Sequence, residues 1–175
     1  TASQKLITVF KQNKWQGGNT LEKFPEICWA ILQHYEVYAT PLLDITSSLR
    51  VACSFALHRG DEEAILYVLG LPHTNGSISY YADEELLIVR LLSICPPNAL
   101  RPYFQDGYLV GTFPTTEFLS RKPRLDVARR LVAKYKIKKN TFWDDDFPDI
   151  PKQALFPQND IVNNIIDKIN INFQD

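Results

Sequence analysis

The stretch from Gln33 to Ala56 constrains this chain most, because its hydrophobic rhythm is broken and restarted there. Ile27, Ala30, Ile31 and His34 are spaced three or four apart and predict one face of a helix that closes near Tyr35. Pro41 biases Thr40 away from the helical region, so Thr40–Ile45 reads as a short extended piece. Asp44, Thr46, Ser47 and Ser48 follow, all residues that favour helix N-caps. A second helical face begins at once with Val51, Ala52, Phe55 and Ala56. The predicted order is helix, polar loop, short strand, cap, buried helix. It gathers donors and acceptors at two element ends, where pockets are usually built.

The flanking sequence supplies the rest of a single domain. At 175 residues the chain is long enough to bury about 70% of its unfolded surface. A net charge of -1 gives no global reason to expect a polyanion. Cys28, Cys53 and Cys95 stand among apolar neighbours with no CxxC spacing. They read as buried reduced thiols, and with no signal peptide they point to a cytoplasmic, reducing location. No apolar run approaches the ~20 residues of a membrane span, so no membrane partner is expected.

Leu6, Val9 and Phe10 predict a helix over Gln4–Asn13, capped by Ser3. A loop at 15–20 precedes a helix from Thr20 to about Tyr35, in which Pro25 fits only the first turn. The helix after the central loop covers roughly Ser48–His58 and stops at Gly60. The continuous apolar run in Ala64–Leu71 predicts a strand buried on both faces. Pro72–Ser79 reads as a loop, Asp83–Leu87 as one helical turn, and Ile88–Ile94 and Tyr108–Phe113 as strands. Arg129–Ile137 alternates apolar and basic residues, as a half-exposed strand does, and a helix is the competing reading. The acidic, proline-rich segment 140–157 reads as a crossing segment with a short helix near Gln153, and 158–172 as a last amphipathic helix capped by Asn159 or Asp160. The fold class is α+β, a small central mixed sheet with flanking helices.

Several groups could carry chemistry. Asp44 and Thr46 open a helix, so phosphate or ribose oxygens could dock there, or both residues could simply cap it. His34 could titrate near neutrality or be a hydrogen-bonded core residue. Arg101 with Gln105 could clamp a phosphate, or Arg101 could pair with Asp106 or Asp83. His58 and His73 lack metal-ligand spacing and Asp144–Asp146 reads as a solvated acidic face, so no metal is expected. Arg121–Lys139 holds nine of the nineteen Lys and Arg residues, a candidate contact for nucleic acid.

The central stretch also resembles the FRG domain signature, similar to Gln-His-Tyr-Gly-Leu-Pro-Thr-Arg-Leu-Leu-Asp-Trp-Thr followed by a Phe-Ala pair. Gln33, His34, Tyr35, Thr40, Leu42, Leu43, Asp44, Thr46, Ala52, Phe55 and Ala56 match it. Glu36 stands where the family has glycine, Pro41 for its arginine and Ile45 for its tryptophan, with one extra residue in the loop. Arg101, Gln105, Gly107 and Leu109 resemble a second element, Arg then Gln-x-Gly-x-Phe. The family's aromatic-Arg-Gly has no match and would lie upstream of Thr1, which implies a fragment or a divergent member.

FRG domains look similar in motif order to ADP-ribosyltransferases. That likeness implies a split sheet and a nucleotide site for NAD, with mono-ADP-ribosyltransferase or NAD-glycohydrolase-like activity, a macromolecular acceptor (protein or nucleic acid), and a bacterial toxin or anti-phage role. By that likeness Asp44, Thr46 and Gln105 would be catalytic, with Glu117 a substitute carboxylate. Gln33, His34, Tyr35, Thr40 and Arg101 would bind the nucleotide, and Tyr35 and Tyr38 could stack on nicotinamide. Gln105 could bond a ribose hydroxyl, although an amide cannot act as a carboxylate base. The alternative is a non-catalytic FRG recognition module that binds nucleic acid or a partner protein through Arg129, Arg130 and Lys134, or a degenerate domain that has lost catalysis.

Overall fold

A computed structural model describes residues 2–14, 18–58, 60, 62–113 and 127–170. Leu6 and Phe10, one turn apart, turn inward from helix α1 (Ala2–Gln12). Because α1 begins at Ala2, Ser3 lies inside it and is not its cap. The expected helix from Thr20 to Tyr35 is two, α2 (Gly18–Lys23) and α3 (Pro25–His34). Pro25 begins α3, where its missing N–H costs nothing, and Phe24 between them is extended.

Strand β1 (Leu43–Thr46) and helix α4 (Leu49–His58) follow as the cap residues predict. Ser48 caps α4: its hydroxyl accepts the Val51 N–H at 3.3 Å. Next come β2 (Glu63–Leu69), β3 (Ile78–Tyr81), a 3₁₀ turn at Ala82–Glu84, and β4 (Leu86–Arg90). Helices α5 (Leu91–Ile94) and α6 (Leu100–Gln105) lead to β5 (Gly107–Thr112). A 3₁₀ turn at Val127–Arg130 precedes β6 (Leu131–Lys138), so the alternating basic stretch is a strand. The crossing segment holds α7 (Lys139–Phe142) and α8 (Lys152–Leu155), and α9 (Ile161–Asn170) ends the described chain.

The class is α+β, and every strand pairing among the described residues is antiparallel, so the central sheet is not mixed. Its order is β1-β5-β4-β3, and β2 and β6 form a separate two-stranded ribbon. Three further expectations are corrected. The loop expected at 72–79 gives way to an edge strand at Ile78. The strand expected at 88–94 turns helical at Leu91. The run at 64–71 is not buried on both faces, because β2 carries only exposed and half-buried residues, with β6 as its one strand neighbour among the described residues. Strand β4 is covered on both faces: Leu86, Leu87, Ile88 and Val89 are all buried. Leu87 and Val89 join the main core of α1, α2, α3, α5 and α9, while Leu86 and Ile88 pack with Val110 on the opposite face. Cys28, Cys53 and Cys95 are buried and unbridged, and burial pushes the Cys28 thiol up to about 12.

Candidate functional site

Gln33 ends the polar face of α3 and turns its carboxamide onto the loop that follows. Its Nε2 donates to the Leu42 carbonyl at 2.7 Å and to Asp44 Oδ2 at 2.6 Å. Its Oε1 accepts the Thr40 N–H at 3.1 Å and the Thr40 hydroxyl. One amide thus fixes the loop's extended entry into β1, which Pro41 had already biased. Glu36, at the family's glycine position, has φ +60°, a left-handed conformation that explains why glycine suits that place.

Ser48 caps α4, and Thr46 Oγ1 accepts the Ser48 N–H at 3.1 Å. The Asp44 side chain is 50% exposed, with Oδ1 3.7 Å from His34 Nδ1. His34 is buried against the sheet, edge-on to Tyr35 at 5.4 Å, and its Nε2 has no hydrogen-bond partner. A Cβ at Gly107 would lie 2.7 Å from Leu91 Cδ1 and 3.5 Å from His34 Cε1. Glycine there lets the imidazole and Leu91 lie against β5.

Burial holds the His34 pKa below the usual histidine value, against the opposing pull of Asp44. The unfolded chain therefore binds more protons than the folded one below about pH 6.5. The contribution of His34 is full above that pH and is lost as pH falls through the unfolded pKa towards the lower folded one. Unfolding free energies from urea denaturation should therefore decline between about pH 7 and pH 5, with a slope of up to ~1.4 kcal/mol per pH unit. His34→Gln should flatten that decline; an unchanged slope would assign it to other groups.

The second motif meets the first through the backbone. β1 pairs with β5 so that Thr46 faces Gly107 and Asp44 faces Leu109. Thr46 Oγ1 donates to the Gln105 carbonyl at 2.8 Å, and the Ser47 hydroxyl donates to Asp106 Oδ2. The Gln105 side chain is buried and donates to the Leu155 carbonyl at 2.7 Å. Arg101, also buried, pairs with Glu36 at 3.1 Å, not with Asp106 or Asp83. Its guanidinium stands 4.7 Å from the Phe156 ring centre and 5.4 Å from that of Tyr35, at cation–π range.

Beneath these residues lies a group whose reach sequence reading missed. Asp160 is completely buried. It accepts the Tyr35 hydroxyl at 3.1 Å on each oxygen, the Arg101 N–H at 2.6 Å and the Val162 N–H at 2.8 Å. The last bond is the expected N-cap of α9. The ties to α3 and α6 had no local signal.

Gln33, His34, Thr40 and Asp44 thus form one cluster, with Thr46 behind it on β1; Gln105, at the end of α6, meets Thr46 through its backbone carbonyl and turns its side chain to Leu155. Tyr35 and Arg101 belong to the adjoining buried layer around Asp160. Tyr38, the second stacking candidate, is 68% exposed. Glu117, Arg121, Lys122 and Arg124 lie outside the described residues. Among the described residues no three His, Cys, Asp or Glu side chains are grouped to hold a metal ion, and no helix is long and apolar enough to cross a membrane. Asp144 Oδ1 accepts the Asp146 and Phe147 N–H groups, which gives that carboxylate a turn-forming role.

A family model matches residues 1–64, little more than a third of the chain: the FRG domain. The match takes in Gln33–Ala56 whole and stops short of Arg101 and Gln105. No curated protein and no solved structure matches.

Proposed function

We propose, from the FRG domain match over residues 1–64, that the Gln33–Thr46 turn is the ribose-facing wall of a nucleotide site and that the domain is NAD-binding and ADP-ribosyltransferase-like. The observation that carries this reading is the state of Asp44. It is half-exposed, oriented by a glutamine and set beside a buried histidine. An oriented carboxylate of this kind can accept hydrogen bonds from the two hydroxyls of a ribose. It also lowers the energy of positive charge that develops next to it.

In the proposed reaction the bond between C1′ of the ribose and the nicotinamide nitrogen breaks. The electron pair leaves with nicotinamide, which becomes neutral, and the ribose carbon becomes oxocarbenium-like. An acceptor oxygen or nitrogen then bonds to C1′ and gives up its proton. Transfer to a macromolecule is the ADP-ribosyltransferase outcome, and transfer to water the glycohydrolase outcome. Asp44 would face the ribose, and neutral His34 would hold the carboxylate's inner side. Thr46 and Gln105 would fix β1 as positioning residues, and Arg101, Tyr35 and Thr40 would shape the wall behind. By the same reading the four-stranded sheet and the β2/β6 ribbon would be the two halves of a split sheet. Consumption of NAD or marking of an acceptor would suit a toxin or anti-phage effector.

Titration calorimetry with NAD tests this. A saturable heat that weakens at least about tenfold in Asp44→Asn, the loss of one charge-assisted bond or more, supports it. No heat, or an affinity that neither Asp44→Asn nor Asp44→Ala changes from the parent chain, rejects it. Nicotinamide release, followed by chromatography with and without an added acceptor, separates transfer from hydrolysis.

A further inference from the structure

The β2/β6 ribbon has a bare face. Its inner side is covered at one end, where Ala64, Leu66 and Ile137 pack with Cys53 and Leu57 of α4 and with Phe142 and Trp143. Period-two alternation sends the other side outward, and the register divides it into two rails. Ile65 and Tyr67 on β2 stand opposite Lys136 and Lys134 on β6, and Glu63 stands opposite Lys138. Ile65 is 41%, Tyr67 57% and Val132 71% exposed. Lys136 and Lys138 share one carboxylate, Glu63, at 2.5 and 3.5 Å. Lys134 has no carboxylate partner among the described residues and lies 5.5 Å from the centre of the Tyr67 ring.

We infer that this outer face docks single-stranded nucleic acid, with the β6 lysines tracking phosphates and Tyr67 offering a stacking surface to a base. Three lysines against one glutamate give the face a single sign, in a chain whose net charge of -1 does not. A basic track beside an exposed aromatic is the arrangement that binds single strands without reading sequence. Lysines at every second residue recur about 6.6 Å apart along the strand. A second copy is the poorer occupant: strand pairing through β6 would bring lysine rows together, the usual device against edge-to-edge association. Arg130, in the turn before β6, is held by Glu84 at 2.5 Å and is not part of the rail. The inference does not depend on the NAD reading.

Fluorescence anisotropy of the full chain with a labelled oligo-dT, titrated with salt, tests it. Affinity should fall as salt rises, and the triple variant Lys134→Gln, Lys136→Gln, Lys138→Gln should reduce the log–log salt slope by about 2. Tyr67→Ala should weaken binding roughly fivefold or more and leave the slope unchanged. All four positions are exposed, and far-UV circular dichroism verifies that the variants fold. Absence of binding, binding indifferent to the triple variant, or a concentration-dependent dimer abolished by Tyr67→Ala without oligonucleotide binding would each overturn the inference.

Discussion

Replacing Asp160 with alanine should lower stability by about 3–5 kcal/mol in urea unfolding, the largest loss expected from any single polar side chain here. The carboxylate is completely buried and satisfies three donors from three helices: the Tyr35 hydroxyl, the Arg101 N–H and the Val162 N–H. Alanine leaves those donors unpaired in an apolar setting, at a cost of ~1–3 kcal/mol each before relaxation, and removes the N-cap of α9. The loss should travel beyond the cap. The α9 stripe of Val162, Ile165 and Ile166 shares the main core with Leu6 and Phe10 of α1. Tyr35→Phe removes one donor along with its bond and should cost only about 1 kcal/mol. In Asp160→Ala the added cost of Tyr35→Phe should be smaller still, because the bond is already gone. A loss below about 1 kcal/mol for Asp160→Ala would show that water replaces the carboxylate and that the three helices are held by packing alone.

The second large effect is expected at Gln33. Its amide serves the Leu42 carbonyl, the Asp44 carboxylate, and the N–H and hydroxyl of the buried Thr40. Gln33→Ala should cost about 2–4 kcal/mol, since Thr40 keeps its donors and loses their acceptor. Gln33→Glu is the more telling change. It keeps the acceptor for Thr40 but sets an oxygen against the Leu42 carbonyl and Asp44, where the native nitrogen donates. Two adjacent carboxylates disfavour double ionisation, so a proton should be held more tightly in the folded variant than in the unfolded chain. The penalty of Gln33→Glu should therefore grow as pH rises through the carboxylate range and ease as pH falls. Denaturation at pH 4 and pH 7, set against the parent chain at each pH, measures this. A penalty independent of pH would mean that residue 33 and Asp44 do not meet.

Much of this arrangement was legible in local sequence. Pro41 and the cap residues placed the β1–α4 junction, and period-two alternation identified β6. These signals act within one or two turns of chain, through dihedral restriction and nearby hydrogen bonds, and need no partner. The candidate cluster was partly legible for the same reason, since Gln33, Thr40 and Asp44 are close along the chain.

The tertiary structure decided what depends on distant neighbours. Two apolar runs, 64–71 and 86–91, look alike as sequence. Only the second lies between β3 and β5 and is covered on both faces, while the first has a single strand beside it among the described residues. A side chain's burial is set by what other segments place against it, and hydrophobicity alone does not specify that. The same holds for the polar groups. Sequence named Asn159 or Asp160 as a cap, but the folded chain brings the Tyr35 hydroxyl to Asp160 across 125 residues and the Arg101 N–H across 59. It turns the Gln105 amide towards Leu155 and leaves Asp44 half in solvent, because a hydrogen bond forms wherever packing first brings a donor to an acceptor.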